Sequence, residues 1–236
     1  MKKEPKISSL IDKAIFDYNL LEDNDKILLA ASGGKDSTAL IEYFANRKKR
    51  PNSNFCIEAV HIQSDFDPEF SLEMKNLFEQ WEIPFNIIKI NIQQRLKQDK
   101  KMNCYWCSTQ RRTELLNYAL KNGFNKIALG HHMDDILETF LMNMLEKGNL
   151  STMIPKMKYD KWQVTIIRPL CYVSERRIIE HVSEHQYGTY TCTCNFQENS
   201  TRKKARIRLE ELTEGDENKK QMIFNALKNV QKNYLL

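Results

Sequence analysis

No apolar run in these 236 residues approaches the length needed to cross a membrane, and the start, Met1-Lys2-Lys3-Glu4-Pro5, lacks the apolar core of a signal peptide. A cytoplasmic protein with no membrane partner is expected. Cysteine is scarce as well: Cys56, Cys104, Cys107, Cys171, Cys192 and Cys194 are too few for the disulfide scaffold of a secreted domain. In a reducing compartment, close cysteine pairs point instead to metal or redox chemistry. Neither sign of charge dominates, because a net +5 is a mild excess that permits a nucleic-acid partner without demanding one. Basic residues do cluster locally, at Arg47 to Arg50, Arg95 to Lys101, Arg111-Arg112 and Arg202 to Arg208. Such runs either neutralise phosphates or are solvated helix ends. Internal repeats, long linkers and low-complexity tracts are also missing, and the length fits one large α/β domain or one with a small appendage.

What is present alternates between strand and helix. Apolar residues recur at helical spacing over residues 6–19, 38–46, 68–81, 113–121, 136–147 and 175–185, and two charged helices are expected over 200–212 and 216–234. Buried strands are expected at 26–31, 55–62, 85–90, 124–130 and 164–168, with Cys56 read as a core residue and 148–161 as a polar loop. The expected fold is therefore α/β, a doubly wound, mostly parallel five-stranded sheet with a short helical C-terminal extension. A soft boundary near residue 188 separates a nucleotide domain (1–188) from a cysteine segment and helices packed on it (189–236).

The chain is organised around Ser32-Gly33-Gly34-Lys35-Asp36-Ser37, where the first strand stops and a helix begins. Glycines let backbone N–H groups turn inward, and the helix start adds positive potential, so an anion fits. The Walker pattern needs glycine five residues before Gly34, where Leu29 stands, and Ser or Thr after Lys35, where Asp36 stands. These six residues resemble instead the PP-loop of the ATP pyrophosphatase superfamily, which cleaves ATP between its α and β phosphates. In open α/β sheets ligands bind at the carboxyl ends of strands, so the backbone of His61 to Ser64 is positioned to meet a nucleotide base. Asp134 and Asp135, at a helix head, read either as acids stabilised by the helix dipole or as one Mg²⁺ ligand acting with Asp36. His131 and His132 are expected to support them. Cys104 and Cys107 share a face if they occupy one helical turn, and metal binding, redox pairing and simple packing all remain open. Cys192 or Cys194 allows three thiolates to converge. Structural zinc takes four ligands, and three cysteines suit a four-iron cluster with one open iron better.

Taken together, Ser32 to Ser37, Cys104-x-x-Cys107 followed by Arg111-Arg112, Leu129 to Thr139 and Ile167-Arg168-Pro169-Leu170 resemble the tRNA 2-thiocytidine synthetase family, the TtcA-like branch of PP-loop enzymes. The resemblance implies an ATP- and Mg²⁺-dependent tRNA sulfur transferase carrying a [4Fe-4S] cluster. By position, the cluster falls to Cys104, Cys107 and one late cysteine. The family's late cysteines usually have two residues between them, whereas Cys192-Thr193-Cys194 has one. The segment Asn195 to Lys203 is similar to the stretch after the third ligand in related thiolases, so Cys194 is chosen, with Cys192 as the alternative. The implied nucleotide set is Ala31, Ser32, Gly33, Gly34, Lys35, Asp36, Ser37, His61, Ile62, Gly130, His131 and Asp135, with Mg²⁺ on Asp36 and Asp135. Lys35, Asp36, Cys104, Cys107 and Cys194 form the implied catalytic group. A sulfur donor, either a cysteine desulfurase or inorganic sulfide, and a homodimer complete the expected partners. The competing readings are a persulfide-based thiolase acting on another base or a small molecule, and a nucleotide-binding regulator without catalysis.

Overall fold

A computed structural model describes residues 5–96, 102–187 and 201–234. Six strands form one sheet in the order β3-β2-β1-β4-β6-β5: β1 (Asp25–Ala30), β2 (Phe55–Ser64), β3 (Phe85–Ile90), β4 (Lys126–Ala128), β5 (Lys156–Tyr159) and β6 (Val164–Ile167). All neighbouring pairs are parallel except β5 with β6. The sheet thus has one strand more than the sequence led us to expect. β5 hid in the supposed loop because its four residues alternate Lys156, Met157, Lys158, Tyr159 and offer no buried apolar run. Lysines on an edge strand are a usual guard against further strand pairing.

The alternation of β1 explains the two layers. Ile27 and Leu29 join one core, and Leu28 joins the other. The larger core is covered by α1 (Ile7–Tyr18), α2 (Lys35–Lys48), α3 (Leu72–Gln80), α5 (Met133–Lys147) and α6 (Glu175–Glu184). On the opposite face α4 (Cys104–Asn122) inserts Leu116 and Ala119 against Leu28, Val60 and Ile127. Two last helices, α7 (Thr201–Thr213) and α8 (Glu217–Ala226), bring Leu209 and Phe224 onto the larger core beside α5. No helix among the described residues is long and apolar enough to cross a membrane.

Cys56 is exposed, contrary to the core assignment. It lies at the amino end of β2, in register with Lys26, which is exposed too. Beneath the same end of the sheet is a buried ion pair, with Lys126 Nζ 2.6 Å from Asp25 Oδ2. Asp25 also accepts from Asn125 Nδ2 at 2.8 Å and from the Glu22 N–H at 2.7 Å. Both charged residues are almost fully enclosed, so deleting one leaves the other desolvated. We expect Lys126→Met to lower the unfolding free energy by about 3 kcal/mol in urea titrations without changing nucleotide binding.

Candidate functional site

The parallel strands all end on one edge, and the loops that follow β1, β2, β4 and β6 meet there. β1 lies between β2 and β4, the point where the chain winds in opposite directions from the sheet's middle and where such folds open a crevice. After β1, Gly33 takes φ 83°, a left-handed conformation that costs a residue with a Cβ. Gly34 is the N-cap of α2. Ser37 Oγ donates to the Gly34 carbonyl at 2.9 Å and Ser32 Oγ lies 2.9 Å from Ser37 Oγ. Having spent its one hydrogen on Gly34, Ser37 accepts there and Ser32 donates. The Gly34 N–H in turn reaches Ser32 Oγ at 3.3 Å. Hydroxyls and an N–H at a helix start are the donors an oxyanion takes over.

Lys35 Nζ sits 2.8 Å from Glu175 Oε1 and 3.2 Å from Asp36 Oδ1. Burial opposes its charge, but the two carboxylates outweigh that and raise its pKa. Asp36 behaves differently: burial dominates over the nearby His132 and Lys35 and raises the carboxyl above its ordinary value. Its Oδ1 is buried and, although the Lys35 ammonium is 3.2 Å away, accepts no hydrogen bond, since Lys35 donates to Oδ2 instead. A carboxylate oxygen left in that state, with hard oxygen ligands nearby, fits a divalent cation such as Mg²⁺.

From the β4–α5 loop, Gly130 packs directly on this turn. A Cβ there would lie 3.1 Å from the Asp36 carbonyl carbon and the Ser37 nitrogen, both backbone atoms. Gly130→Ala should therefore move the two loops apart by a few tenths of an ångström and weaken binding of inorganic pyrophosphate at the loop after β1 by about tenfold, as read by calorimetric titration. The sequence left Asp134 and Asp135 interchangeable, whereas their geometry separates them. Asp134 accepts from the Glu175 N–H at 2.7 Å and from Lys220 Nζ at 3.1 Å, tying α5 to α6 and α8. Burial opposes its charge, but His132, that N–H and Lys220 hold its carboxyl well below the usual range. Asp135 faces the loop: His132 Nε2 lies 3.6 Å from its Oδ2 and 3.8 Å from Asp36 Oδ1, bridging the two acids electrostatically. The His132 N–H donates to Asp135 Oδ2 at 3.0 Å. Burial works against a charged His132, but Asp134, Asp135 and Asp36 prevail and raise its pKa. His131 is instead pushed down by burial and by Arg168, Arg202 and Arg112, so it stays neutral and accepts from Arg168 Nε at 3.3 Å.

On the β2 side, His61 Nδ1 donates to the Ala31 carbonyl at 2.7 Å, and burial lowers its pKa. Its imidazole is thus consumed in joining β2 to the loop. The Ala31 N–H donates to the Val60 carbonyl at 2.9 Å. Because residues two apart on a strand face the same neighbour, Ile62 turns its N–H and C=O to that side too, past the end of β1.

The Cys104-x-x-Cys107 segment is the first turn of α4, capped by Asn103, whose Oδ1 accepts from the Trp106 N–H at 2.8 Å. Cys107 is half-buried and outside any disulfide. One turn on, Arg111 Nη2 contacts Asp67 Oδ1 at 2.7 Å and Ser64 Oγ at 3.0 Å, fixing this end of α4 over the carboxyl end of β2. Cys107 therefore stands at the same sheet edge as the loop after β1. The Cys104 side chain, Cys192 and Cys194 lie outside the described residues. Cys171 belongs to the core, and burial pushes its thiol up to about 12.

Sequence reasoning missed the clamp over this site. Arg202 Nη2 contacts Asp135 Oδ1 at 2.8 Å and its Nε donates to Glu138 Oε2 at 3.1 Å. Arg206 Nε donates to Glu138 Oε1 at 2.6 Å and approaches Glu175 at 3.6 Å. Glu138, on α5, is buried beneath these two arginines of α7. The i,i+4 spacing of Arg202 and Arg206 was the available signal, but their acidic partners on α5 lie far away in sequence. The other basic runs are also partly committed: Arg47 and Arg50 pair with Asp12, and Arg95 with Glu114.

Comparison with known proteins shows the family and the fold. The sequence model of the PP-loop domain matches residues 3–213. A tRNA-cytidine(32) 2-sulfurtransferase of Bdellovibrio bacteriovorus is 34% identical over 98% of this chain and 90% of its own length. One from Variovorax paradoxus is also 34% identical, over 100% of this chain and 77% of its own. Among solved structures, the U34-tRNA thiolase NcsA from Methanococcus maripaludis, determined with its [4Fe-4S] cluster, superposes with a TM-score of 0.76. It shares 19% identity, covers 94% of this chain and 77% of its own, and shows the common fold.

Proposed function

Because the chain belongs to the PP-loop domain family, and within it to the tRNA-cytidine 2-sulfurtransferases, we propose that it adenylates a cytidine of tRNA at its C2 carbonyl and replaces that oxygen with sulfur. The observation that carries this reading is the meeting of two sites on one sheet edge: the anion cradle after β1 and the Cys107 turn of α4 over the end of β2.

In this reading Ile62 presents its outward N–H and C=O to adenine, while Ala31 and His61 shape the wall behind it. Ser32, Gly33, Gly34 and Ser37 hold the phosphates that leave as pyrophosphate, and the Lys35 ammonium offsets their charge. Asp36 and Asp135 hold Mg²⁺, which when bound neutralises the phosphate oxygens. Gly130 keeps the second loop close enough for Asp135 to serve, and neutral His131 keeps an Nε2–H donor directed by the bond from Arg168. The base oxygen attacks the α-phosphorus, sulfide attacks C2, and AMP departs with the oxygen. Cys104, Cys107 and Cys194, with Cys192 as the alternative third ligand, would hold a [4Fe-4S] cluster, which when bound would supply the sulfur for the exchange. Of these thiols the structure describes Cys107, half-buried at a helix N-terminus, where the dipole offsets anionic charge. The segment 189–236 then acts as a unit that brings the third sulfur to the nucleotide domain 1–188. A cytoplasmic homodimer supplied by a cysteine desulfurase or by inorganic sulfide completes the reading.

Mass spectrometry of tRNA nucleosides from a strain lacking the protein tests it. Loss of 2-thiocytidine is expected, and an unchanged thionucleoside profile contradicts it.

A further inference from the structure

About two helical turns along α2 from this edge, a second group of ligating side chains converges where α2 meets α6. We propose that Glu42, His181 and His185 form a binding site for a divalent transition ion of the zinc class. One ligand atom from each of the three lies within 4.8 Å of the other two. Glu42 comes from α2, and the histidines stand one turn apart at the end of α6, where their rings are 4.2 Å apart. His181 Nε2 is 2.5 Å from Glu42 Oε2, so the two helices are already joined at this point.

The histidines are oriented for coordination. His185 Nδ1 lies 2.8 Å from the His181 carbonyl, which can only accept, so Nδ1 carries the hydrogen and Nε2 keeps its lone pair. A ring hydrogen bonded to a backbone carbonyl is the usual outer-shell support of a metal-binding imidazole. The Tyr187 ring packs 5.4 Å from that of His185 and limits its rotation. Two imidazoles and one carboxylate favour Zn²⁺, Co²⁺ or Ni²⁺ over Mg²⁺ or Ca²⁺. Three protein ligands leave a fourth position open. The site faces a cavity of about 630 Å³, with Glu180 and Glu184 on its wall and room for a water on the open position. The same two helices begin at Lys35 and Glu175, so an ion here braces, about two turns further along α2, the pair that carries the Lys35–Glu175 contact.

The test uses the full-length protein, stripped with chelator and kept reduced, titrated with Zn²⁺ and separately with Co²⁺. Wild type and His185→Gln retain all six cysteines, so thiolate sites cancel in the comparison. Wild type is expected to bind one more equivalent than His185→Gln. The Co²⁺ difference spectrum should show weak d–d bands without intense thiolate charge transfer, and Zn²⁺ should raise the thermal midpoint of wild type more than that of the variant. Glu42→Gln should lose the same equivalent. Equal stoichiometry in wild type and both variants, or thiolate charge transfer in the difference spectrum, overturns the assignment.

Discussion

Replacing Cys107 with alanine is expected to abolish tRNA thiolation and to leave the protein without bound iron after anaerobic reconstitution, while ATP still binds. The side chain is half-buried at the first turn of α4 and packs against the margin of the second core, not within its fully buried centre of Leu116 and Ala119. Truncating it should change stability by less than about 1 kcal/mol. The cradle at Ser32 to Ser37 belongs to β1 and α2 and does not depend on α4. A three-thiolate site reduced to two loses the ligand set that defines it, so the loss should be near complete rather than graded. Iron content, visible absorption and nucleoside analysis read the three parts separately. Substantial thiolation by Cys107→Ala would remove the cluster from the reaction.

Lys35→Met should lower the rate of pyrophosphate release by about 10²–10³, since one preorganised charge beside the leaving group is removed. The substitution keeps most of the length of the side chain, and Glu175 retains Arg206 at 3.6 Å, so its carboxylate is not stranded. Asp36→Asn should cause a loss of the same order by a different route. It removes the charge on a site oxygen that is buried without a hydrogen-bond partner, and its activity should respond to Mg²⁺ concentration far more steeply than that of Lys35→Met. Pyrophosphate release measured across a Mg²⁺ series distinguishes the two. If both variants release pyrophosphate at the wild-type rate, the loop after β1 is not where ATP is cleaved.

The alternation of strands and helices was legible because a parallel sheet is buried on both faces and leaves continuous apolar runs. The loop after β1 was legible because its glycines and charges come directly after such a run. β5 was not, since an edge strand of four residues with two lysines carries no such mark. The apolar periodicity marked α4 only from residue 113 and α5 only from residue 136, whereas the helices begin at Cys104 and Met133, as the one-turn reading of Cys104 and Cys107 and the helix-head reading of Asp134 and Asp135 allowed. Asn103 was a readable N-cap signal for α4. The division between Asp134 and Asp135 could not be read at all. It depends on Glu175 and Lys220, which are adjacent only after α6 and α8 have packed on α5. The run Arg202 to Arg208 read as either a phosphate-neutralising surface or a solvated helix end, yet Arg202 and Arg206 fold back onto Glu138 and Asp135. Charge clustering in a sequence does not reveal which partners fold to meet it.

The exchange of one oxygen for one sulfur can be followed directly. A tRNA transcript carrying ¹⁸O at the C2 carbonyl of cytidine, incubated anaerobically with the iron-loaded protein, ATP, Mg²⁺ and sulfide, should yield 2-thiocytidine and one ¹⁸O-labelled AMP for each base converted. Formation of 2-thiocytidine with AMP that carries no label, or release of ADP and phosphate in place of AMP and pyrophosphate, would contradict adenylation of the base at the loop after β1.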